Sequence, residues 1–194
     1  MATKTTKTTK TTKTTKTIPR HISNIRPYFE KNKTERVYFG VTNFNEESSL
    51  ENKAWREHNE YTGCIYGCPR EAPRHLPLRS TIIIFEARVD TNMIEGIGIM
   101  RKGFPDIKKI SLYKDKNQNR YVYKGRTRLS RESILEGREE FIRHIEALIF
   151  KSKHHMKRGI GIRSISKRLV EINITNRENH IDFKTFVTSL SHLL

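Results

Sequence analysis

The sequence has few of the features on which disulfide-rich and membrane proteins depend. Only two of its 194 residues are cysteines, which excludes the disulfide framework that holds small secreted domains together. No apolar run exceeds four residues, as in the Ile-Ile-Ile-Phe of 82–85, whereas a membrane-spanning helix needs roughly 20. We therefore expect no membrane span and no membrane partner. No apolar segment follows the N-terminal lysines, so we also expect no secretory signal and an intracellular location.

Acidic residues are also scarce. The chain has 21 Asp and Glu against 38 Lys and Arg, and its formal net charge is +17. Such a basic balance favours polyanionic partners, above all nucleic acids. Residues 1–17, a Thr-Thr-Lys repeat with five lysines and no acid, supply only part of this charge, because the rest of the chain still carries +12.

The N-terminal repeat and the residues after it divide the chain. Residues 1–17 have almost no apolar side chain to offset the entropy lost on folding, so we predict a disordered basic arm. The repeat either binds polyanions or is a neutral expansion. Residues 18–60 are irregular in pattern, with one β-like stretch at 36–41, and are predicted to be an N-terminal extension. Residues 61–194 are predicted to form a single α+β domain.

The hydrophobic periodicity of the domain predicts its elements. Strands are predicted where β-branched and apolar residues dominate or alternate, at 81–87, 94–100, 109–113, 120–124 and 169–174. The Gly- and Pro-rich stretch 63–77 is typical of a loop, and 109–113 and 120–124 are predicted to pair as a meander. A helix is predicted to begin near 130–133, with a capping box at Ser133 and Glu136, and to run to 150; a closing helix follows at 181–194. This order predicts an α+β fold with a mainly antiparallel sheet or small barrel and two packed helices.

The first candidate binding segment is 101–131, which has eleven Lys or Arg against two acids. Basic side chains neutralise phosphates, and an exposed tyrosine ring stacks on a base for about 1–3 kcal/mol. The candidates are Tyr113, Arg120, Tyr121, Tyr123 and Lys124. The alternative is that the tyrosines pack across the sheet while the charges keep its face solvated.

The second candidate segment is 151–168, which has seven Lys or Arg and no acid. Glycines allow backbone amides to turn toward an anion, and neighbouring cations strengthen the attraction. The candidates are Lys157, Arg158, Gly159, Gly161 and Arg163. The segment matches no nucleotide-binding fingerprint. The alternative is a helix C-terminus with flanking cations and a glycine stop.

Metal and catalytic sites are less well supported. The cysteines Cys64 and Cys68 are flanked only singly by His58 and His75, which is not the spacing of a structural zinc site, and the alternatives are buried thiols or an unpaired reactive cysteine. Three acids around one turn, Glu86, Asp90 and Glu95, could hold a divalent ion, but strand alternation favours a solvated face for Glu86 and Glu95. We predict no metal, no cofactor and no catalytic residues, and hence a protein that is not an enzyme.

Several short motifs occur in the order seen in a known family. They are Gly-Cys-Ile-Tyr-Gly at 63–67, Ile-Ile-Phe-Glu-Ala at 83–87, Asn-Met-Ile-Glu-Gly-Ile-Gly-Ile at 92–99, Tyr-Lys-Asp at 113–115, Asn-Arg-Tyr-Val-Tyr-Lys at 119–124 and His-Met-Lys-Arg-Gly-x-Gly at 155–161. Over 60–165 the chain thus resembles a family of uncharacterised proteins from nucleocytoplasmic large DNA viruses, the mimivirus-like giants especially. The resemblance implies a viral protein in the host cytoplasm or viral factory, or packaged in the virion, and it implies no particular activity.

The strands at 82–87 and 96–100 are also similar to those of PUA-like barrels, including the EVE and YTH groups, where a Gly-rich strand lies beside a base-binding pocket. This similarity implies a small barrel, and the rings available for an aromatic cage are Trp55, Tyr66, Tyr113, Tyr121 and Tyr123. The leading hypothesis is a non-enzymatic domain that binds DNA or RNA. The alternative is a virion structural or protein-interaction component without nucleic-acid specificity.

Overall fold

Seven strands and three short helices make up the described part of the chain. The computed structural model describes residues 37–106, 109–136, 138–152 and 156–170. The strands are β1 (Val37–Phe44), β2 (Cys64–Cys68), β3 (Thr81–Arg88), β4 (Met93–Arg101), β5 (Tyr121–Gly125), β6 (Thr127–Ser130) and β7 (Arg163–Ile165). The helices are α1 (Glu46–His58), α2 (Arg131–Leu135) and α3 (Glu139–Glu146), which continues into a π-helical turn (Ala147–Lys151); 3-10 turns occur at Lys116–Asn119 and Met156–Arg158. The predicted arm at 1–17 and the predicted closing helix at 181–194 lie outside these residues.

The strands form two sheets. The larger has the order β6-β4-β3-β1-β7, in which β1 and β3 are parallel and all other pairs are antiparallel. The smaller is the antiparallel pair of β2 and β5. The prediction of an α+β fold with a mainly antiparallel sheet is therefore confirmed. The alternative of a small barrel is wrong for the strands that the structure describes. The short edge strands β6 and β7 do not pair with each other, and β2 and β5 form a separate sheet, so no barrel is closed by these strands.

The larger sheet is covered on both faces, because it lies between two hydrophobic cores. The first core lies between the sheet and the helices α2 and α3, and it contains Phe39, Val41, Ile83, Phe85, Ile97, Phe141, Ile142, Ile145, Leu148 and Ile149. The second lies between the sheet and the smaller sheet, and it contains Ile82, Ile84, Cys64, Tyr66, Val122 and Tyr123. Strand β3 contributes alternate residues to both cores, which explains its nearly continuous apolar run.

The smaller sheet corrects two predictions. Residues 64–68, predicted as part of a loop, form β2, and β5 pairs with β2 and not with 109–113, where no strand forms. The loop prediction was misled by the glycines of this stretch, which are typical of turns. A Cβ at Gly67 would lie 2.6 Å from the carbonyl oxygen of Gln118, so this glycine permits close approach within a strand and marks no turn.

The boundary predicted at residue 60 also needs correction. Strand β1 lies between β3 and β7 in the larger sheet, and α1 follows it directly, so 37–58 belong to the same folded body as the strands after 61. Helix α1 begins at a capping box in which Asn45 Oδ1 accepts from the Ser48 amide. It has few apolar residues, which is why its periodicity gave no helix prediction.

The predicted helix at 130–150 is present in two pieces. Its first cap is Ser130 and not Ser133, because the Ser130 hydroxyl accepts from the Ser133 amide, and α2 ends at Leu135 before α3 begins at Glu139. The predicted apolar stripe of α3 is buried, as expected. Residues 167–170 form a helical turn, so the start of the strand predicted at 169–174 is wrong, and its later residues lie outside the described ranges. None of the helices described here is long and apolar enough to cross a membrane.

Candidate functional site

A cleft of about 380 Å³ opens where β1 ends and α1 begins. This volume lies within the usual range for a small-molecule or nucleotide pocket. The cleft is lined by Thr42, Asn43, Phe44, Asn45, Glu47, Ser48, Glu51, Gly67, Val89, Tyr113, Lys114, Asp115, Gln118, Lys157, Arg158, Gly159 and Gly161. Residues from both predicted binding segments therefore meet around one opening.

The first wall is the loop at 113–118. Asn119 holds it in place, because its Oδ1 accepts from the amides of Leu112 and Tyr113 at 3.0 and 2.9 Å while its Nδ2 donates to the Tyr113 carbonyl at 2.6 Å. The exposed Lys114 ammonium lies 3.4 Å from Glu47 and 3.8 Å from Glu51, both on α1. The pair with Glu47 is exposed on both sides, and such pairs contribute little stability, so the Lys114 ammonium can exchange Glu47 for a phosphate.

The second wall is the turn at 156–161. Asn43, near the end of β1, donates from Nδ2 to the carbonyls of Met156, Lys157 and Gly159 at 3.0, 2.8 and 3.1 Å. One side chain thus binds three carbonyl oxygens of the turn and holds the backbone of the turn in place. The Lys157 ammonium donates to Asn92 Oδ1 at 2.8 Å. The guanidinium of Arg158 is exposed and makes no ion pair with any residue in the described ranges.

Arg163 lies behind this turn and does not line the cleft. Its guanidinium packs so closely on Gly159 that a Cβ there would lie 1.8 Å from Arg163 Nε. Arg163 Nε and Nη2 are buried, and they have no hydrogen-bond partner among the residues that the structure describes. Burial lowers the pKa of Arg163, because the charged form loses hydration. Gly161 completes the turn with φ of +71°, a conformation that favours glycine.

The predicted tyrosines are placed differently from one another. Tyr113 is 6% exposed and Tyr123 is 3% exposed, and their hydroxyls accept hydrogen bonds from Asn52 Nδ2 and from the Ala72 amide. Burial raises the pKa of both phenols. In this conformation neither ring offers a face for base stacking, which favours the alternative that they pack in the core. Tyr121 is half-buried.

The other cations of the first segment lie away from the cleft lining. The Arg120 guanidinium lies 5.5 Å from the ring centre of Tyr121. The Lys124 ammonium lies 5.4 Å from the Trp55 ring and 5.9 Å from the Tyr61 ring, and it pairs with Asp106 at 3.3 Å. The structure therefore brings Lys157, Arg158, Gly159 and Gly161 together with Tyr113, but not with Arg120, Tyr121, Tyr123 or Lys124.

A buried polar network between the two sheets had no counterpart in the sequence predictions. Glu86 is only 4% exposed, which corrects its predicted place on a solvated face. Its carboxylate accepts from Arg128 Nη2 at 2.7 Å and Nε at 2.9 Å, and from the Tyr66 hydroxyl at 2.9 Å. The space comes from Gly96 and Gly98 on the neighbouring strand, where any Cβ would collide with this network. The Gly-Ile-Gly motif was the available signal: the smaller sheet approaches Gly98, and Glu86 and Arg128 of the larger sheet approach Gly96.

The candidate metal ligands are used in other ways. Cys64 and Cys68 are fully buried in β2, as the buried-thiol alternative predicted, and burial raises the pKa of each thiol to about 12. Asp90 and Glu95 both pair with Arg88, at 3.2 and 2.6 Å. Over the ranges that the structure describes, no three His, Cys, Asp or Glu side chains are grouped to hold a metal ion.

Comparison of the chain with models of protein families, with curated proteins and with solved structures gave no match. The feature of the structure that bears on function is therefore the cleft. On one side the turn at 156–161 presents cations, and on the other α1 presents carboxylates that already pair with Lys114. This arrangement suits a ligand that carries a phosphate at one end and hydrogen-bond donors at the other.

Proposed function

We propose that the protein is a non-enzymatic nucleic-acid-binding protein that holds the backbone of DNA or RNA at the turn 156–161. The observation that carries the proposal is that Lys114, from the first basic segment, lines the same cleft as Lys157 and Arg158 from the second. Charges that are distant in sequence but adjacent in space can contact successive phosphates. Binding of this kind is largely electrostatic and independent of sequence.

The turn is suited to phosphate because its backbone is held before any ligand arrives. The three hydrogen bonds from Asn43 and the packing of Arg163 on Gly159 hold the backbone of the turn that carries Lys157 and Arg158. A turn whose backbone is already ordered loses less entropy on binding than a flexible loop. The cleft beside them is large enough for about one nucleotide.

The carboxylates of α1 limit where phosphate can bind. Glu47 and Glu51 repel an anion at that wall, so the backbone of a strand is expected to follow the turn while its bases approach α1. Carboxylates accept hydrogen bonds from the amino groups of bases, so this wall is compatible with bases. A viral origin and a place in the virion, which the family resemblance implies, stay predictions.

The test is salt-dependent binding of a fluorescent single-stranded oligonucleotide to the full chain. Each phosphate contact on a single strand contributes about 0.7 to the slope of log K against log salt. Replacing Lys157 and Arg158 by Gln should therefore reduce the slope by about 1.4 and weaken binding for every base composition.

The matched control is the double variant Arg143→Gln with Lys151→Gln. Both residues are exposed on the helical layer and neither lines the cleft, so the change in net charge is the same. This control should keep most of the slope. Equal loss in the two double variants would mean that net charge alone drives binding, and the assignment to the turn would then be wrong. Absence of oligonucleotide binding by the wild type at about 50 mM salt, where charges are weakly screened, would refute the function itself.

A further inference from the structure

An isoleucine lies in the middle of the basic turn. Ile160 is 57% exposed, between Gly159 and Gly161, and Lys157 and Arg158 precede it. An exposed apolar side chain needs no explanation by itself. Here, however, it lies on the segment whose charges are the best candidates for binding phosphate.

The exposure of Ile160 follows from how the turn is held. Asn43 binds the carbonyls of Lys157 and Gly159 on one side of Ile160, and Gly161 takes a positive φ on the other. The guanidinium of Arg163 fills the space next to the Cα of Gly159. The backbone on both sides of Ile160 is therefore constrained, while its side chain remains directed away from the core.

Charge complementarity selects the partner. Ile160 follows Lys157 and Arg158, the exposed cations of the turn, so an anionic ligand approaches it most easily, and its apolar surface needs an uncharged, flat or apolar part of that ligand. A nucleic-acid strand has both parts in a regular repeat, because each phosphate is followed by a base with an apolar face. Apolar side chains are used in this way by proteins that insert them beside or between bases.

We propose that Ile160 packs against a base of a bound single strand while Lys157 and Arg158 contact the flanking phosphates. The inference rests on the nucleic-acid binding proposed above. It adds a contact whose strength depends on the presence of a base and not only on the charge of the phosphates. Ile160 does not itself line the cleft, so it is a positioning residue that holds a base against the turn while its neighbours Lys157 and Arg158, which do line the cleft, hold the phosphates. Because packing on a base releases no counterion, its contribution is independent of salt.

The experiment compares two probes of equal length and charge, a twelve-nucleotide DNA strand and the same strand with abasic sites at its central positions. Wild-type full chain should bind the intact strand about tenfold more tightly. The variant Ile160→Ser should lose this preference by binding the intact strand about tenfold more weakly, with unchanged affinity for the abasic strand and an unchanged salt slope. A melting temperature equal to that of the wild type excludes a general loss of structure, and Ile160→Ala provides a second, smaller change.

The matched control is Leu78→Ser, because Leu78 is also 57% exposed but lies outside the basic turn at 156–161. It should bind both probes as the wild type does. If Ile160→Ser weakens both probes equally, or leaves the preference for the intact strand intact, the base contact is refuted. This outcome differs from failure of the proposed function, in which the Lys157 and Arg158 double variant would bind no differently from the Arg143 and Lys151 control.

Discussion

The packing of the two sheets on each other predicts a strong effect of a single methyl group at Gly98. A Cβ at this position would lie 1.8 Å from the Tyr66 hydroxyl oxygen and 2.7 Å from Cys64 Cβ, both in the smaller sheet. Since ordinary contact begins near 3.4 Å, the hydroxyl would have to move by roughly 1.6 Å. That movement would break its 2.9 Å hydrogen bond to the buried carboxylate of Glu86.

The expected cost of Gly98→Ala combines two effects. Overpacking of a dense core costs about 1–3 kcal/mol, and loss of a hydrogen bond to a charged group adds about 1.5–3 kcal/mol. We therefore expect the free energy of unfolding to fall by about 3–5 kcal/mol. Tyr66→Phe should cost only the hydrogen-bond part of this sum, about 1.5–3 kcal/mol, and Glu86 retains its hydrogen bonds from Arg128.

The double variant Gly98→Ala with Tyr66→Phe separates this explanation from a general effect of alanine in a strand. Without the hydroxyl, the nearest obstacle to the new methyl group is Cys64 at 2.7 Å, and the hydrogen bond is lost only once. The double variant should therefore be more stable than the sum of the single changes implies, by at least about 1 kcal/mol. The assay is urea denaturation of the full chain followed by fluorescence of Trp55, the single tryptophan.

Gly103→Ala is the matched control, because the nearest atom to a Cβ there is 3.9 Å away. It should change the free energy of unfolding by less than about 0.5 kcal/mol. Additivity of the two changes at Gly98 and Tyr66 to within about 0.5 kcal/mol would refute the proposed collision, since independent sites add to that accuracy.

Two further predictions concern buried charge and buried thiols. Glu86→Gln leaves Arg128 without its buried counter-charge and should lower the free energy of unfolding by about 2–4 kcal/mol, measured by urea denaturation. Joint replacement of Glu86 and Arg128 by Leu should lower it by less, because no unpaired charge is then buried. The opposite order would contradict the role assigned to the pair. Burial raises the folded-state pKa of Cys64 and Cys68 to about 12. As the pH rises, the thiols of the unfolded chain therefore lose their protons before those of the folded chain. The free energy of unfolding should then fall from about pH 9 upward, by as much as about 1.4 kcal/mol per pH unit for each thiol. Between pH 9 and 10 the decline should be flatter in a variant with both cysteines replaced by Ala, and an unchanged slope would show that other groups cause it.

Local pattern was sufficient for the elements whose burial follows a simple period. The β-branched run of β3, the alternation in β4 and the apolar stripe of α3 each predict their own element, because the type and spacing of their apolar residues are those of a strand or a helix. The same holds for the positive charge of the segment 151–168, which contains the turn at 156–161, since seven cations without an acid are a property of the chain itself.

Pairing and burial that depend on distant residues could not be predicted in this way. Gly63 and Gly67 give this stretch the composition of a loop, and only the loop at 113–118 and β5 on either side make residues 64–68 a strand. Glu86 alternates as a solvent-facing residue would, yet it is buried because Arg128, 42 positions away, supplies its counter-charge. Nothing near Glu86 in the chain indicates that partner.

The candidate site shows the same division. The sequence alone determined which segments carry cations, because charge is a property of each side chain. Only the tertiary structure decided that Lys157 and Arg158 share a cleft with Lys114 while Lys124 packs on Trp55 elsewhere. The residue that arranges this is Asn43, which binds carbonyls 113 to 116 positions further along the chain. A single amide side chain carries no local signal of such a role, because its hydrogen bonds exist only after β1 and the turn have come together.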